Sequence, residues 1–105
     1  MEQPNLSYIK NMSGGDLAFE QKLIGIIKTE FPQEKAVYFS NLQAANYKLA
    51  ADNVHKLKHK ISILGLEKCY NIAVHHEEQL LSGSTGSSAD FEAILKMITD
   101  YLKTL

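Results

Sequence analysis

Two histidines one helical turn apart are the residues of this chain best suited to chemistry. His55 and His59 are separated by four positions, so on an α-helix their rings lie on the same face. A neutral imidazole can act at neutral pH as a nucleophile or as a metal ligand. The pair is flanked by Lys56, Lys58 and Lys60, whose ammonium groups would stabilise an attached phosphate. The same pattern is equally typical of an ordinary solvated helix face.

The helix that carries the pair is predicted from an apolar stripe. Its members recur at steps of four and three residues, which predicts one buried face: Ala50, Val54, Leu57, Ile61 and Leu64. Asn46 is expected to cap the start of the helix, and Gly65 to end it in the left-handed conformation. With the stripe buried, the exposed face is expected to carry Asp52, His55, His59, Ser62 and Ile63.

The other helices follow from the same periodicity. A short segment with Leu6 and Ile9 precedes a cap at Ser13 or Asp16. A long pattern then runs through Phe19, Leu23, Ile26, Ile27 and Phe31, and resumes after Pro32 with Val37, Tyr38 and Leu42. Pro32 is expected either to kink this helix or to begin a new one.

The C-terminal half predicts two more helices. One has Leu66, Cys69, Ala73 and Leu80 along one side, and the last runs from a Ser87 or Ser88 cap through Phe91, Ile94, Leu95, Ile98, Tyr101, Leu102 and Leu105. Residues 82–88 between them are expected to be a flexible connector that packs against nothing. We therefore predict an all-α fold, an up-down four-helix bundle with a short additional N-terminal helix, formed by residues 1–105 as a single domain.

Composition excludes several classes of function. A formal net charge of −1 provides no general basic field for nucleic acid. The single cysteine suits a reducing compartment. No signal peptide and no apolar run of membrane-spanning length is apparent. We expect a cytoplasmic protein without membrane or nucleic-acid partners. Because the chain begins at a methionine without a linker, we expect it to be free-standing.

Residues 54–66 resemble the signature of the histidine-containing phosphotransfer (HPt) domain. In that signature a histidine is followed by any residue, an aliphatic, a lysine and a small residue, with a glycine ten positions after the histidine. His55, Leu57, Lys58 and Gly65 match it. The downstream pattern of two apolar residues and a glutamate is matched by Cys69, Ile72 and Glu77. His59 departs from it, because that position is usually glycine or serine.

The resemblance implies a phosphorelay carrier rather than an enzyme with its own turnover. His55 would accept a phosphoryl group from a receiver-domain aspartate and pass it to another receiver, while Lys58 offsets the phosphate charge. The partners would be response-regulator receiver domains or a hybrid histidine kinase, which dock on the exposed face: Asp52, Lys56 and Ile63, with His59 and Ser62 adjacent to the site. The receiver would supply the divalent metal, so no cofactor of the chain's own is expected. A monomer is implied.

Two alternatives from other classes remain open. One is a receiver-binding adaptor without chemistry, which the intact His55 and Lys58 disfavour. The other is a metal-binding bundle that uses His55 and His59 with a third ligand such as His76, although bundle metal sites usually project inward. His59 could also narrow the choice of receivers, hydrogen-bond the phosphoryl group or be the acceptor itself. The spacing to Lys58 and Gly65 favours His55.

Three other features have structural interpretations. The run of residues 75–78 cannot converge on one ion, since neighbours on a helix point in different directions. Glu77 is expected to hydrogen-bond within the bundle. Cys69 is expected to be a core residue rather than a reactive thiol.

Overall fold

Five α-helices account for the secondary structure of this protein, described here from a computed structural model that covers residues 2–105. They are α1 (Ser7–Ser13), α2 (Leu17–Gln43), α3 (Tyr47–Ile63), α4 (Glu67–Leu81) and α5 (Ser88–Leu102). No strand occurs within the described range. Helix α3 packs against α2 and α4, α5 packs against α4 and α2, and α1 lies on α2. The predicted all-α bundle with a short additional N-terminal helix is confirmed.

Helix α2 is a single 27-residue helix with Pro32 inside it. At 1.5 Å per residue it is about 40 Å long, close to the 44 Å long axis of the molecule. The alternative in which Pro32 begins a new helix is therefore wrong. At the start of α2 the side chain of Asp16 accepts a hydrogen bond from the Phe19 N–H at 3.1 Å, so Asp16 rather than Ser13 is the cap.

The buried face of α2 differs from the apolar pattern that predicted the helix. Its buried residues are Glu20, Ile24, Ile27, Phe31 and Tyr38. In contrast, Phe19, Ile26 and Val37 are 43%, 42% and 49% exposed. The apolar residues of this long helix cover a wider arc than its neighbours can bury, and the tertiary packing selects which of them face the core.

The stripe of α3 is buried as predicted. Ala50, Val54, Leu57, Ile61 and Leu64 all have 0% of their surface exposed. Gly65 follows the helix with φ +77°, which confirms the left-handed C-terminal position. Asn46 does precede the helix, but its side chain makes no capping hydrogen bond, so the predicted role of that side chain is wrong.

The N-terminal segment is hydrogen-bonded to the turn between α3 and α4 and to the start of α4. The Asn5 N–H donates to the Leu64 carbonyl at 2.9 Å. Leu66, at the N-cap of α4, has no side-chain acceptor, and Glu2 Oε1 instead accepts from the Cys69 N–H at 2.7 Å. A cap for α4 is thus supplied from the distant start of the chain. Cys69 is 1% exposed and is the core residue predicted; burial raises the pKa of its thiol to about 11.

The connector between α4 and α5 is not free of packing. Ser87 occupies the N-cap position of α5 without capping the helix. It is only 8% exposed, and its Oγ lies 2.7 Å from His76 Nδ1. The expectation that residues 82–88 pack against nothing is wrong at Ser87, because a buried imidazole needs a polar partner.

No helix formed within residues 2–105 combines the length and apolar character needed to cross a lipid bilayer.

Candidate functional site

The exposed face of α3 presents His55 and His59 side by side. The His55 side chain is 57% exposed, and His59 is exposed as well. Their ring centroids are 5.2 Å apart with an interplanar angle of 81°, an edge-to-face arrangement. Burial of the α3 stripe turns this face to solvent, as the helical periodicity predicts. Also exposed on α3 are Asp52, Lys56 and Ser62.

Glu77 on α4 connects the two central residues of the site. Its Oε2 lies 3.4 Å from His55 Nδ1, and its Oε1 accepts a hydrogen bond from Lys58 Nζ at 2.9 Å. The side chain of Glu77 is 20% exposed, so this contact forms at the edge of the α3–α4 interface. The predicted hydrogen bonding of Glu77 within the bundle is confirmed. Its contact with His55 is at Nδ1 and does not involve Nε2.

Lys58 is held on two sides. Its side chain is 13% exposed, with the ammonium paired to Glu77 and 5.6 Å from the centroid of the Tyr70 ring. That distance is typical of a cation–π contact. Lys58 therefore adds positive charge next to His55 from a fixed position, rather than as a freely moving surface lysine.

Lys60 is paired with carboxylates of α2. Its ammonium lies 2.7 Å from Glu34 Oε2 and 3.1 Å from Glu30 Oε1, both on α2. Lys60 flanks the pair as expected, since it lines the same groove as His59, but its charge is paired across the α2–α3 interface. A shallow groove beside the pair is lined by Glu30, Gln33, Glu34, Lys56, His59 and Lys60.

Ile63 is only partly available as a contact residue. It was expected on the exposed face, but it is half-buried and packs against the hydrophobic core. It lies in the last turn of α3, where the chain reverses into α4 after Gly65.

His76, considered from the sequence only as a possible metal ligand, is a buried core residue. It is 0% exposed, with Nε2 2.7 Å from the Tyr38 hydroxyl and Nδ1 2.7 Å from the Ser87 hydroxyl. Burial, with a smaller effect from His75, lowers the pKa of His76 to about 4. The sequence spacing does indicate this burial, because His76 continues the α4 stripe between Ala73 and Leu80 at steps of three and four.

The position of His76 excludes it as the third ligand of the metal-binding alternative. Both of its ring nitrogens have hydrogen-bond partners in the core, so His76 cannot join the exposed His55 and His59 around one ion. Among residues 2–105, no three or more His, Cys, Asp or Glu side chains are grouped so as to hold a metal ion.

No protein-family model matches the chain, and no curated protein or solved structure is significantly similar to it.

Proposed function

We propose that this chain is a phosphorelay carrier of the HPt type. His55 accepts a phosphoryl group from the phosphoaspartate of a receiver domain and later passes it to an aspartate of another receiver. The observation that supports this best is the arrangement of three groups: an exposed imidazole, a carboxylate at its Nδ1, and a lysine on the same carboxylate. It combines an accessible nucleophile with a fixed orientation and local charge compensation.

The proposed transfer uses Nε2 of His55. The Nε2 lone pair forms the N–P bond while the P–O bond to the receiver aspartate breaks and the aspartate leaves as a carboxylate. The imidazole ring gains positive charge in this step, and its Nδ1 proton stays on the side of Glu77. The Glu77 carboxylate stabilises that charge, and the 3.4 Å contact can shorten when the partner docks.

Lys58 supplies charge support in this proposal. The phosphoryl group brings negative charge to the neighbourhood of Glu77, where like charges repel. Lys58 is bonded to Glu77 and lies one turn from His55, so its ammonium can be shared between the carboxylate and the phosphoryl oxygens. The receiver domain contributes its divalent metal, which provides most of the stabilisation of the transferring group.

The docking surface proposed for the receiver is the exposed face of α3. Asp52 and Lys56 provide charged contacts around His55, with Ser62 further along the face. Ile63 contributes only the exposed part of its side chain. Such a carrier releases each partner after transfer, which fits a small interface. We propose that it works as a monomer in the cytoplasm, where receivers or a hybrid histidine kinase are its partners.

Intact-mass spectrometry tests the proposed function. The wild type, His55→Gln and His75→Gln are incubated with phosphorylated receivers, and the acid-labile gain of one phosphoryl group is measured. His75 is an exposed histidine on α4, so its replacement is the matched control. We expect the gain in the wild type and in His75→Gln, and none in His55→Gln. Binding without any gain would favour the adaptor, and a gain in His55→Gln would move the acceptor to His59.

A further inference from the structure

The two exposed histidines of α3 have the ring spacing that a two-point metal chelate requires. Ring nitrogens bind zinc at about 2.0–2.1 Å, which places the centroids of two rings on one ion roughly 4.5–5.2 Å apart for angles between square and tetrahedral. The centroids of His55 and His59 are 5.2 Å apart. The present arrangement is edge-to-face. Because both rings are exposed, side-chain rotation can turn one nitrogen of each ring toward a common point.

The surroundings of His55 favour metal binding at the same nitrogen that the proposed transfer uses. Metal-binding histidines usually direct their other ring nitrogen at a carboxylate or a carbonyl, which orients the ring and raises its basicity. Glu77 Oε2 occupies that position at Nδ1, 3.4 Å away. The nitrogen that Glu77 does not contact is Nε2.

We propose that His55 and His59 together bind one late first-row divalent transition ion, of the class Zn²⁺, Ni²⁺ or Cu²⁺, and that this ion blocks Nε2 of His55. Imidazole suits these ions, whereas Mg²⁺ prefers oxygen ligands. Water fills the remaining coordination positions, so the ion is reversibly bound and is not a resident cofactor. The blocking effect rests on the proposed phosphocarrier function, while the binding site itself does not.

The blocking effect follows from the single lone pair on Nε2. A lone pair shared with a metal ion cannot attack phosphorus, so a loaded carrier neither accepts nor returns a phosphoryl group. Conversely, a phosphorylated His55 loses the ligand that the ion needs. Binding of the phosphoryl group and binding of the metal ion are therefore mutually exclusive. His59 is the second ligand that allows the ion to bind.

Calorimetric titration tests the site without any phosphoryl chemistry. Ni²⁺, Zn²⁺ and Mg²⁺ are titrated into the wild type, His55→Gln, His59→Ala and His75→Ala. We expect one Ni²⁺ or Zn²⁺ per wild-type chain, the same binding in His75→Ala, loss of binding in His55→Gln and His59→Ala, and no Mg²⁺ binding. Glu77→Gln should weaken the affinity roughly tenfold. The proposed site would be refuted if His59→Ala kept the wild-type metal affinity, or if His75→Ala lost as much affinity as His59→Ala.

A transfer assay separates this inference from the function on which it rests. With Mg²⁺ present for the receiver, Zn²⁺ is added to the wild type and to His59→Ala, and the rate of phosphoryl gain is measured. We expect Zn²⁺ to inhibit the wild type at concentrations that leave His59→Ala unaffected. Equal inhibition of the wild type and of His59→Ala would mean that Zn²⁺ acts on the receiver, and would refute the proposal that the bound ion blocks His55. Metal binding without any transfer would reject the carrier function and leave the chelate standing.

Discussion

Glu77 on α4 contacts His55 on α3 through one carboxylate oxygen, with 3.4 Å between Oε2 and Nδ1. The other oxygen holds Lys58 at 2.9 Å. One acidic residue thus contacts an exposed imidazole and holds Lys58 beside it. These two contacts make Glu77 a positioning residue in the proposed transfer.

Removal of this carboxylate should slow the transfer without unfolding the bundle. In Glu77→Ala we expect the rate of phosphoryl acceptance by His55 to fall on the order of tenfold, since the ring loses its orienting partner. Stability should fall by about 1–3 kcal/mol, because the Lys58 ammonium, whose side chain is only 13% exposed, loses its hydrogen-bond partner. Glu78→Ala, an exposed neighbour on α4, is the matched control. Stopped-flow transfer and thermal melting measure both effects; an unchanged rate would remove Glu77 from the site.

The burial of His76 makes stability depend on pH. The ring is neutral in the folded protein because burial lowers its pKa to about 4, whereas an unfolded histidine titrates near about 6.5. The unfolded chain therefore binds the proton first as pH falls. The shift contributes about 3 kcal/mol to the free energy of unfolding. This contribution is fully present above about pH 6.5 and is lost as the pH falls from about 6.5 to 4.

Denaturant unfolding at a series of pH values measures this dependence. His76→Gln keeps a polar group for Tyr38 and Ser87 but does not titrate, so its stability should fall less steeply across the window than that of the wild type. His59→Ala, which removes an exposed histidine, should retain the wild-type slope. Parallel curves for the wild type and His76→Gln would contradict the assignment.

Position 65 requires a glycine for two reasons, its backbone conformation and the closeness of its neighbours. It has φ +77°, and a Cβ there would lie 2.5 Å from Asn5 Nδ2. We expect Gly65→Ala to cost about 2 kcal/mol, since the left-handed conformation alone costs an L-residue roughly 1–2 kcal/mol. Combination with Asn5→Ala should recover part of the loss. Gly25→Ala, within α2 and free of close contacts, should instead stabilise by about 0.5–1 kcal/mol. Equal effects of the two substitutions would contradict this explanation.

Ala45 occupies the same type of position without being a glycine. It has φ +60°, and the end of α2 closes with hydrogen bonds from the Asn46 N–H to the Asn41 carbonyl and from the Ala45 N–H to the Leu42 carbonyl. These bonds define a Schellman motif, which favours glycine. We expect Ala45→Gly to raise the free energy of unfolding by about 1 kcal/mol. Ala44→Gly, at a residue with φ −80°, should give no gain; a gain there as well would contradict the conformational explanation.

Local periodicity was sufficient to predict the helices and the orientation of α3. Steps of three and four residues predict a buried stripe from neighbouring positions alone, and the stripe ending at Leu64 is buried throughout. The exposure of His55 and His59 then follows from helix geometry. Prediction was only partly right for α2: Ile27 is buried, but the apolar residues cover too wide an arc for periodicity to select Ile24 over Ile26.

Local sequence patterns could not predict the contacts between helices. The sequence by itself determined the all-α fold, the α3 stripe and the exposed histidine pair, because these depend on residues within a few turns of one helix. Only the tertiary structure decided that Glu77 meets His55 and Lys58, that Lys60 pairs with α2, and that His76 bonds Tyr38 and Ser87. Each of these depends on the register between helices, and that register is set by packing across the whole core.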